Sequence, residues 1–372
     1  MKILLFGEFS GLFNCLRDGL VALGHEVFMF SDGDMGRQYP ADYCYWKPRK
    51  CLGKLGHLVD CFNVVTHLRY LRGYDVVVFV SPRKFAFLPF FNKYIYNYMI
   101  KHNKVSYLCS SGLYDVAFKF WHEQTDSKYH YYTTAILEGD DTAPGRSYYS
   151  IAGNWKMEEE LLKKMTGIIP IWYEYAEPYR KFANIKKTIR IPINTDSFEY
   201  TPNKIHDGKI LFLLGKSRPS KGHKYIKAAF KRLQEKYSDR AEFVVLDKKL
   251  PFDEYMKLVT NANVIMDEAY SYSMAMNALF SMAKGKIIMG GAEPAGNKEL
   301  GYEENPAYNL CPDVDQICGC IEDVILHPDK LEERGLKSRQ FVEKYHNYID
   351  IAKEYVAVFE EDLNKLNTKT QG

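Results

Sequence analysis

The sequence lacks the features that would assign it at once to several common classes of protein. Its 372 residues include no apolar run long enough to cross a membrane, and the apolar start is too short for a signal peptide. Eight cysteines occur without a C-x-x-C pair, which argues against zinc and indicates reduced thiols in a cytosolic protein. The formal net charge is only +3, so the overall charge expected of a nucleic-acid-binding protein is missing.

Two motifs of metal and nucleotide chemistry are also missing. No Asp-x-Asp pair follows a predicted strand as in metal-dependent transferases, and Asp140 with Asp141 is better explained as a turn. Gly7 and Gly11 follow the first predicted strand, but the third glycine and the spacing of a dinucleotide fingerprint are absent. We therefore expect neither a metal ion nor a cofactor.

What the chain does contain is a regular alternation of short apolar runs with helical patterns. This alternation is typical of parallel sheets covered by helices on both faces, so the predicted fold class is α/β. A chain of this length should hold about two domains, and the proline-rich stretch 191–202 breaks the rhythm between them. We predict a first domain over 1–195, a smaller second domain over 203–344 and a C-terminal helix within 345–372.

The strand predictions rest on apolar runs, and the helix predictions on helical spacing of apolar residues. The strands are 2–6, 26–30, 75–80, 105–109 and 167–170 in the first domain, and 209–214, 241–246, 264–266 and 286–289 in the second. The helices include 55–71, 221–237, 253–261, 273–284 and 349–366. In helix 55–71 we expect one apolar stripe to face the core, formed by Leu55, Leu58, Val59, Phe62, Val65 and Leu68.

The most informative segment is the end of strand 209–214, where cations surround the start of a helix. Gly215 lets the backbone turn, and Ser220 is expected to cap a helix whose first N–H groups attract anions. Lys216, Arg218 and Lys221 add positive charge at the same place. The segment therefore predicts a diphosphate-binding turn, although a basic surface turn between a strand and a helix explains it equally well.

The pair Gly215-Lys216, followed after four residues by Lys221-Gly222, resembles the Gly-Arg, four residues, Lys-Gly signature of family 4 glycosyltransferases. In that family the two cations hold the diphosphate of a nucleotide sugar. Lys216 stands where the family usually has Arg, which keeps the charge but loses the planar fork. The resemblance covers nearly the whole chain and implies the GT-B fold: two Rossmann-like domains facing a cleft, with the last helix crossing back to the first domain.

The resemblance implies a hexosyltransferase-type enzyme that moves a sugar from a nucleotide-diphosphate donor. It is expected to be cytoplasmic, either free or peripheral at the cytoplasmic face of the membrane. The acceptor is a saccharide or a lipid-linked molecule, in surface-polysaccharide assembly, and the family implies retention of configuration. Because Lys216, Arg218 and Lys221 can neutralise the departing diphosphate, we expect no metal requirement. Two alternatives stay open: a catalytically degenerate homologue that acts as a binding or partner subunit, and a nucleotide-sugar epimerase on the same scaffold.

One family motif is not matched by this sequence. The family carries two carboxylates separated by seven residues before Ala-Met-Ala-x-Gly, and here Tyr272 and Phe280 occupy the two positions. The second carboxylate normally binds the ribose, and a phenylalanine cannot accept a hydrogen bond. Asp267 and Glu268, at the end of strand 264–266, are the nearest replacements, so we expect Asp267 to bind the donor and Glu268 to take a catalytic role.

Further candidates follow the ends of other strands, where doubly wound sheets bind their ligands. Glu293, in a glycine-rich loop after strand 286–289, is expected to reach donor hydroxyls; a structural turn explains the glycines but not the acid. Gly11 opens the first loop, so that backbone N–H groups can approach the donor. Asp115, after strand 105–109, is the candidate base, although the alternative interpretation, an ordinary acid at a helix N-terminus, is favoured.

Lys221→Ala is expected to weaken binding of the nucleotide-sugar donor with little change in melting temperature.

Aromatic residues alternate with cations between residues 84 and 104. A core helix with solvated lysines is narrowly favoured, and the alternative is a basic aromatic face that touches anionic lipid or a lipid-linked acceptor. The face would consist of Lys84, Phe85, Phe87, Phe90, Phe91, Lys93, Tyr94, Tyr96, Tyr98, Lys101 and Lys104, with Lys47, Arg49, Lys50 and Lys54 nearby in sequence.

Overall fold

The computed structural model describes residues 1–34, 37–46, 55–85, 88–124, 133–139 and 154–370. These residues form two units, each built on one parallel sheet. The first contains 1–117, 154–194 and 348–370, and the second contains 118–124, 133–139 and 195–347. The α/β class is therefore confirmed, whereas the predicted domain limits stay predictions. Lys47, Arg49, Lys50, Lys54, Phe87, Asp140 and Asp141 lie outside the described residues.

The helices that the structure describes are numbered here in chain order. They are α1 (Leu12–Ala22), α2 (Leu55–Thr66), α3 (Pro89–His102), α4 (Asp115–Glu123), α5 (Thr134–Leu137), α6 (Asn154–Leu162), α7 (Tyr173–Ala176), α8 (His223–Lys236), α9 (Phe252–Asn261), α10 (Met276–Ala283), α11 (Pro294–Glu299), α12 (Val314–Leu326), α13 (Leu331–Tyr345) and α14 (Tyr348–Thr370). Short 3-10 turns include Leu68–Leu71 and Pro219–Lys221.

The sheet of the first unit has six parallel strands in the order β3-β2-β1-β4-β5-β6. Strands β4 and β5 are buried along their whole length and β1 from its second residue onward, and most of their residues are apolar, as is usual for parallel sheets covered on both faces. The five strands predicted for this part of the chain are confirmed, and the two-residue strand β3 was not predicted. The strands are β1 (Lys2–Phe6), β2 (Glu26–Ser31), β3 (Tyr43–Cys44), β4 (Val76–Phe79), β5 (Val105–Ser110) and β6 (Gly167–Pro170).

The C-terminal helix α14 lies in the first unit, where it packs on α1, as the fold resemblance implied. The two helices approach so closely that a Cβ added to Gly19 would lie 2.3 Å from the carbonyl oxygen of Tyr348. Further along α14, Asp362 accepts a hydrogen bond of 2.8 Å from the hydroxyl of Tyr107 in β5 and pairs with Lys186 at 2.6 Å. Contacts at Tyr348 and at Asp362 thus tie α14 to the rest of the first unit.

The predicted orientation of helix 55–71 is wrong. The helix ends at Thr66 and a 3-10 turn follows, and Leu58, Phe62 and Val65 of the expected core stripe are 50%, 64% and 42% exposed. The buried face is formed by neighbours such as Cys61 and Val64. Helical spacing groups the apolar residues on one side, but it does not determine which side meets the sheet.

Helix α3 has both a buried face and exposed aromatic residues. Ile95, Tyr96 and Met99 are fully buried, which agrees with a helix of the core. Phe90 is 87% exposed and Tyr94 56% exposed on the same helix. Exposed rings of this size leave the lipid-contact alternative open.

The sheet of the second unit has five parallel strands in the order β11-β10-β9-β7-β8. Its core is formed by apolar residues of the strands together with α8, α12 and the start of α13. Because β7, β9 and β10 are neighbours, the loops that follow them meet at one edge of the sheet. The strands are β7 (Ile210–Leu214), β8 (Ala241–Val245), β9 (Val264–Met266), β10 (Ile287–Gly290) and β11 (Tyr308–Asn309), the last of which was not predicted.

Candidate functional site

The cationic turn after β7 begins at Gly215 and leads into α8. Lys216 and Arg218 are exposed, and neither is in an ion pair with any residue that the structure describes. The expected cap is wrong: Ser220 lies in the 3-10 turn, and Gly222, at φ 70°, precedes the first residue of α8 without a side-chain cap. Glycine suits that left-handed conformation because it has no Cβ.

His223 holds this turn against β9, a role that the sequence did not suggest. Its Nδ1 accepts a hydrogen bond of 3.0 Å from the backbone N–H of Arg218, and its Nε2 donates one of 2.6 Å to the carbonyl of Asp267. Burial, helped by the nearby charge of Lys221, lowers the pKa of His223 to about 4. The imidazole is therefore neutral near pH 7 and ties the start of α8 to the end of β9.

Lys221 differs from the other two cations because it is buried between carboxylates. Its Nζ lies 3.0 Å from Oδ1 of Asp267 and 2.9 Å from Oε1 of Glu268. Lys221 is 12% exposed, Asp267 4% and Glu268 1%, so all three charges are screened from water. The cluster carries a formal net charge of −1, and Oδ2 of Asp267 has no hydrogen-bond partner among the described residues. The structure thus brings together three residues that were predicted separately.

Glu293 lies in the loop after β10, beside Asn309 of β11. It is buried, and its Oε1 accepts a hydrogen bond of 2.9 Å from Nδ2 of Asn309. Its backbone N–H donates to the carbonyl of Tyr272 at 3.0 Å, which fixes the loop. Binding of the donor by Glu293 stays a prediction.

The two positions that lack the family carboxylates are filled by packed aromatic rings. Phe280 stacks on Phe198 with 5.0 Å between ring centroids and meets Phe252 edge-on at 5.4 Å. Tyr272 stacks on Trp121 at 5.8 Å, within the same unit. Phe280 is therefore part of an apolar cluster, and a ribose hydroxyl would find no acceptor on its side chain.

In the first unit, the N-terminus of α1 is occupied by a carboxylate of the chain itself. Glu8 is fully buried, and its Oε1 accepts N–H bonds from Phe9 at 2.6 Å, Gly11 at 3.1 Å and Phe13 at 3.3 Å. Its Oε2 accepts the backbone N–H of Asn14 at 3.0 Å. Burial raises the pKa of Glu8, and hydrogen bonds from the Asn14 side chain and from the backbone N–H groups of Phe9, Phe13 and Asn14 oppose the rise. A contact between Gly11 and the nucleotide-sugar donor stays a prediction. It requires the backbone N–H of Gly11 to give up its hydrogen bond to Glu8.

Asp115, the candidate base, is the first residue of α4 and is paired with Arg83. Burial raises the pKa of Asp115, and the guanidinium of Arg83 opposes the rise. Glu158 lies beside them, and burial together with the charge of Asp115 raises its pKa to about 8. A cavity of about 30 Å³ borders the three side chains, which is room for water. The catalytic role of Asp115 stays a prediction.

Lys84 is not one of the solvated lysines that the sequence suggested. Its Nζ lies 3.0 Å from Oδ2 of Asp32, and the two side chains are 13% and 4% exposed. The same Nζ donates to the carbonyl of Glu8 at 3.2 Å. Lys84 therefore joins the loops that follow β1, β2 and β4.

Two general features of the described residues bear on chemistry. No group of three or more His, Cys, Asp and Glu side chains within them is arranged to hold a metal ion. None of the helices described is both long and apolar enough to cross a bilayer.

Comparison with known proteins gives similarity of structure without similarity of sequence. No protein-family model matches the chain, and no curated protein matches its sequence. Sucrose-phosphate synthase from Thermosynechococcus elongatus matches with a TM-score of 0.63 and 16% identity, over 98% of this chain and 100% of that one. Anabaena HepE, solved in complex with UDP-glucose, matches with a TM-score of 0.60 and 11% identity, over 97% and 100%.

A glycosyltransferase from Rickettsia africae matches with a TM-score of 0.54 and 13% identity, over 97% of this chain and 98% of that one. Identities this low are informative about the fold alone. The matches nevertheless extend over both units, and each unit has the parallel sheet that the fold requires. The chain therefore has the GT-B fold of glycosyltransferases.

Proposed function

We propose that this protein is a family 4-like glycosyltransferase that moves a sugar from a nucleotide-diphosphate donor to a saccharide or lipid-linked acceptor, in surface-polysaccharide assembly. One observation carries the proposal: a cationic turn after β7 adjoins two buried carboxylates, Asp267 and Glu268, at the end of the neighbouring strand. Cations suit a diphosphate, and carboxylates suit sugar hydroxyls. HepE, a structural neighbour, was solved with UDP and with UDP-glucose.

The charges suggest a separate role for each cation and carboxylate of this site. Lys221 is already balanced by two carboxylates, so Lys216 and Arg218 are the cations that can bring net positive charge to the diphosphate. Lys221 holds Asp267 and Glu268 in place, and Oδ2 of Asp267, which has no hydrogen-bond partner among the described residues, can accept a hydrogen bond from a hydroxyl of the nucleotide sugar. Leaving-group stabilisation by these cations supports a reaction without a metal ion.

The direct test is binding and turnover of nucleotides by the purified protein. We expect UDP, GDP or ADP to raise the melting temperature, and the matching nucleotide sugar to be hydrolysed slowly without an acceptor. Lys216→Ala and Arg218→Ala should each weaken diphosphate binding about tenfold or more, because each removes a charge-assisted hydrogen bond. Lys231→Ala, at an exposed lysine two turns into α8, is the matched control and should bind as wild type does.

Two results would contradict the proposal. Absence of stabilisation by every nucleotide would exclude a nucleotide-sugar enzyme of either kind, transferase or epimerase. Wild-type affinity in the Lys216→Ala/Arg218→Ala double variant would mean that the diphosphate binds elsewhere. A retaining outcome, which the family resemblance implies, is tested by determining the anomer formed once an acceptor is found.

We also propose a cytoplasmic protein that touches the membrane face peripherally. Phe90 and Tyr94, four residues apart, project from one face of α3 beside Lys93, which is half exposed and pairs with Glu160 at 3.4 Å. Exposed aromatic rings next to a lysine suit an anionic lipid surface. Sedimentation with vesicles that contain anionic lipid should capture the wild type. The variant Phe90→Ser/Tyr94→Ser should remain in the supernatant, and equal capture of both would contradict the contact.

A second candidate function is a homologue that binds nucleotide sugars without turnover. The specific observation in its favour is Phe280, whose ring is packed between Phe198 and Phe252 where the family has a ribose-binding carboxylate. Stabilisation by nucleotides without any donor hydrolysis or transfer would favour this candidate.

A further inference from the structure

Residues 133–139 belong to the second unit, although they precede most of it in sequence. Their helix α5 packs against the 3-10 turn Pro219–Lys221, which is the second half of the cationic turn. Ala135 and Tyr270 are 1% and 0% exposed and form a small buried cluster. A segment distant in sequence thus packs against the cationic turn of the proposed donor site.

Glu138 is the polar connection between this segment and the site. Its Oε2 accepts a hydrogen bond of 2.6 Å from the hydroxyl of Tyr270 and another of 2.6 Å from Nζ of Lys224. The hydrogen bond to Tyr270 is the better protected of the two, because Tyr270 is fully buried whereas the Lys224 side chain is 49% exposed. Burial and the carboxylate of Glu138 raise the pKa of Tyr270, so its hydroxyl stays protonated as a donor.

The ring of Tyr270 in turn fixes the backbone next to Lys221. A Cβ added to Gly222 would lie 3.2 Å from the Tyr270 ring and 3.2 Å from Cβ of Ala269, so the ring lies directly on this glycine. The N–H of Ala269 donates to the carbonyl of Lys221 at 2.9 Å. A contiguous series of contacts therefore runs from Glu138 through Tyr270 to the Lys221–Gly222 backbone.

We propose that Glu138 is a positioning residue for donor binding, which acts through the hydroxyl of Tyr270 to hold the Lys221–Gly222 backbone. The inference rests on the proposed function, because it concerns the same diphosphate site. Glu138 itself does not touch the donor in this proposal. Its contribution is to keep the cationic turn in its binding geometry before the nucleotide arrives.

The experiment measures the dissociation constant of UDP by calorimetric titration, together with the melting temperature of each variant. If UDP does not raise the melting temperature of the wild type, the titrations use GDP or ADP in its place. We expect Glu138→Ala and Tyr270→Phe each to raise the dissociation constant about three- to tenfold, the effect of one hydrogen bond. The double variant should lose no more than either single variant, because both act in one series.

Two further variants separate this route from its alternatives. Glu138→Gln keeps an oxygen that accepts from Tyr270 but loses the charge that pairs with Lys224, so it should bind UDP within about twofold of wild type. Leu137→Ala, at an adjacent residue that is 46% exposed, is the matched control and should also bind as wild type does. A Glu138→Gln variant as weak as Glu138→Ala would overturn the route through Tyr270.

The remaining outcomes separate this inference from the proposed function. A wild type that binds none of the three nucleotides contradicts the proposed function and this inference together. If the wild type binds UDP and the Tyr270→Phe variant binds it with the same affinity, the inference alone is contradicted. Additive losses in the double variant would likewise overturn it, and Tyr270→Phe decides the matter if Glu138→Ala fails to fold.

Discussion

Lys221, Asp267 and Glu268 combine one positive and two negative charges in a buried cluster. The sequence alone led us to expect that Lys221→Ala would leave the melting temperature nearly unchanged. The structure changes that expectation, because the variant leaves two buried carboxylates without their cation. We expect a loss of about 3–5 kcal/mol in the free energy of unfolding, measured by urea titration.

Two variants serve as controls for the Lys221 prediction. Lys221→Arg keeps the charge and should lose much less stability than Lys221→Ala. Lys216→Ala removes an exposed cation five residues away and should change the free energy of unfolding by less than about 0.5 kcal/mol. Equal stability of Lys221→Ala and wild type would show that the buried carboxylates do not depend on Lys221.

His223 gives a pH dependence of stability whose sign follows from its lowered pKa. The folded protein holds this imidazole neutral, with a pKa of about 4 against an ordinary value of 6.5, so the unfolded chain binds the proton more tightly. Its contribution to stability is complete above pH 6.5 and is lost as the pH falls towards 4, by about 3 kcal/mol at most. His223→Gln should therefore flatten the fall in stability between about pH 7 and pH 4.5. The same slope in variant and wild type would contradict this.

The candidate site residues show what the sequence could and could not indicate. Gly215, Lys216 and Arg218 are candidates because a strand end, a glycine and adjacent cations are local features. The pairing of Lys221 with Asp267 joins residues 46 positions apart, and no local pattern encodes it. The same reason hides His223, which looks like an ordinary helix residue until the end of β9 is placed beside it.

Helices α1 and α14 meet at Gly19, where no side chain fits. Because an added Cβ would lie 2.3 Å from the carbonyl oxygen of Tyr348, Gly19→Ala must push the two helices apart. We expect a loss of about 1–3 kcal/mol in the free energy of unfolding, from overpacking. Thermal or urea denaturation of the variant measures this loss.

Gly319 provides the matched control for Gly19. It lies in α12, and a Cβ added there meets nothing within 4 Å. Gly319→Ala should therefore raise stability by about 0.4–1 kcal/mol, since alanine restricts the unfolded chain and suits a helix. If both substitutions were neutral, the close approach of α1 and α14 would not be present in solution.

Strands and helices differed in how well the sequence predicted them. Strand β4 is a continuous apolar run with every residue buried, and a run of this kind is readily predicted as a strand. In α2 the apolar stripe was correctly grouped but assigned to the wrong side, with Leu58 and Phe62 facing outward. Periodicity describes a helix by itself, and the side that meets the sheet is decided by the rest of the chain.

The chain passes between the two units more often than the sequence suggested. Residues 118–124 and 133–139 join the second unit before its main part begins at Thr195, and 348–370 belong to the first. The return of the last helix followed from the fold resemblance. The earlier passage had no sequence signal, because it depends on contacts such as those of Tyr270 with Glu138.

Two units with separate cores are expected to unfold in two transitions in a calorimetric scan, provided that they unfold independently. A bound nucleotide stabilises the unit whose residues bind it. The gain is about 2.7 kcal/mol when the nucleotide concentration is one hundred times the dissociation constant. Because Lys216 and Arg218 belong to the second unit, UDP should raise one transition and leave the other in place. Gly19→Ala should lower the other transition, since Gly19 and Tyr348 both belong to the first unit. A single transition that both changes displace would mean that the two units unfold as one cooperative body.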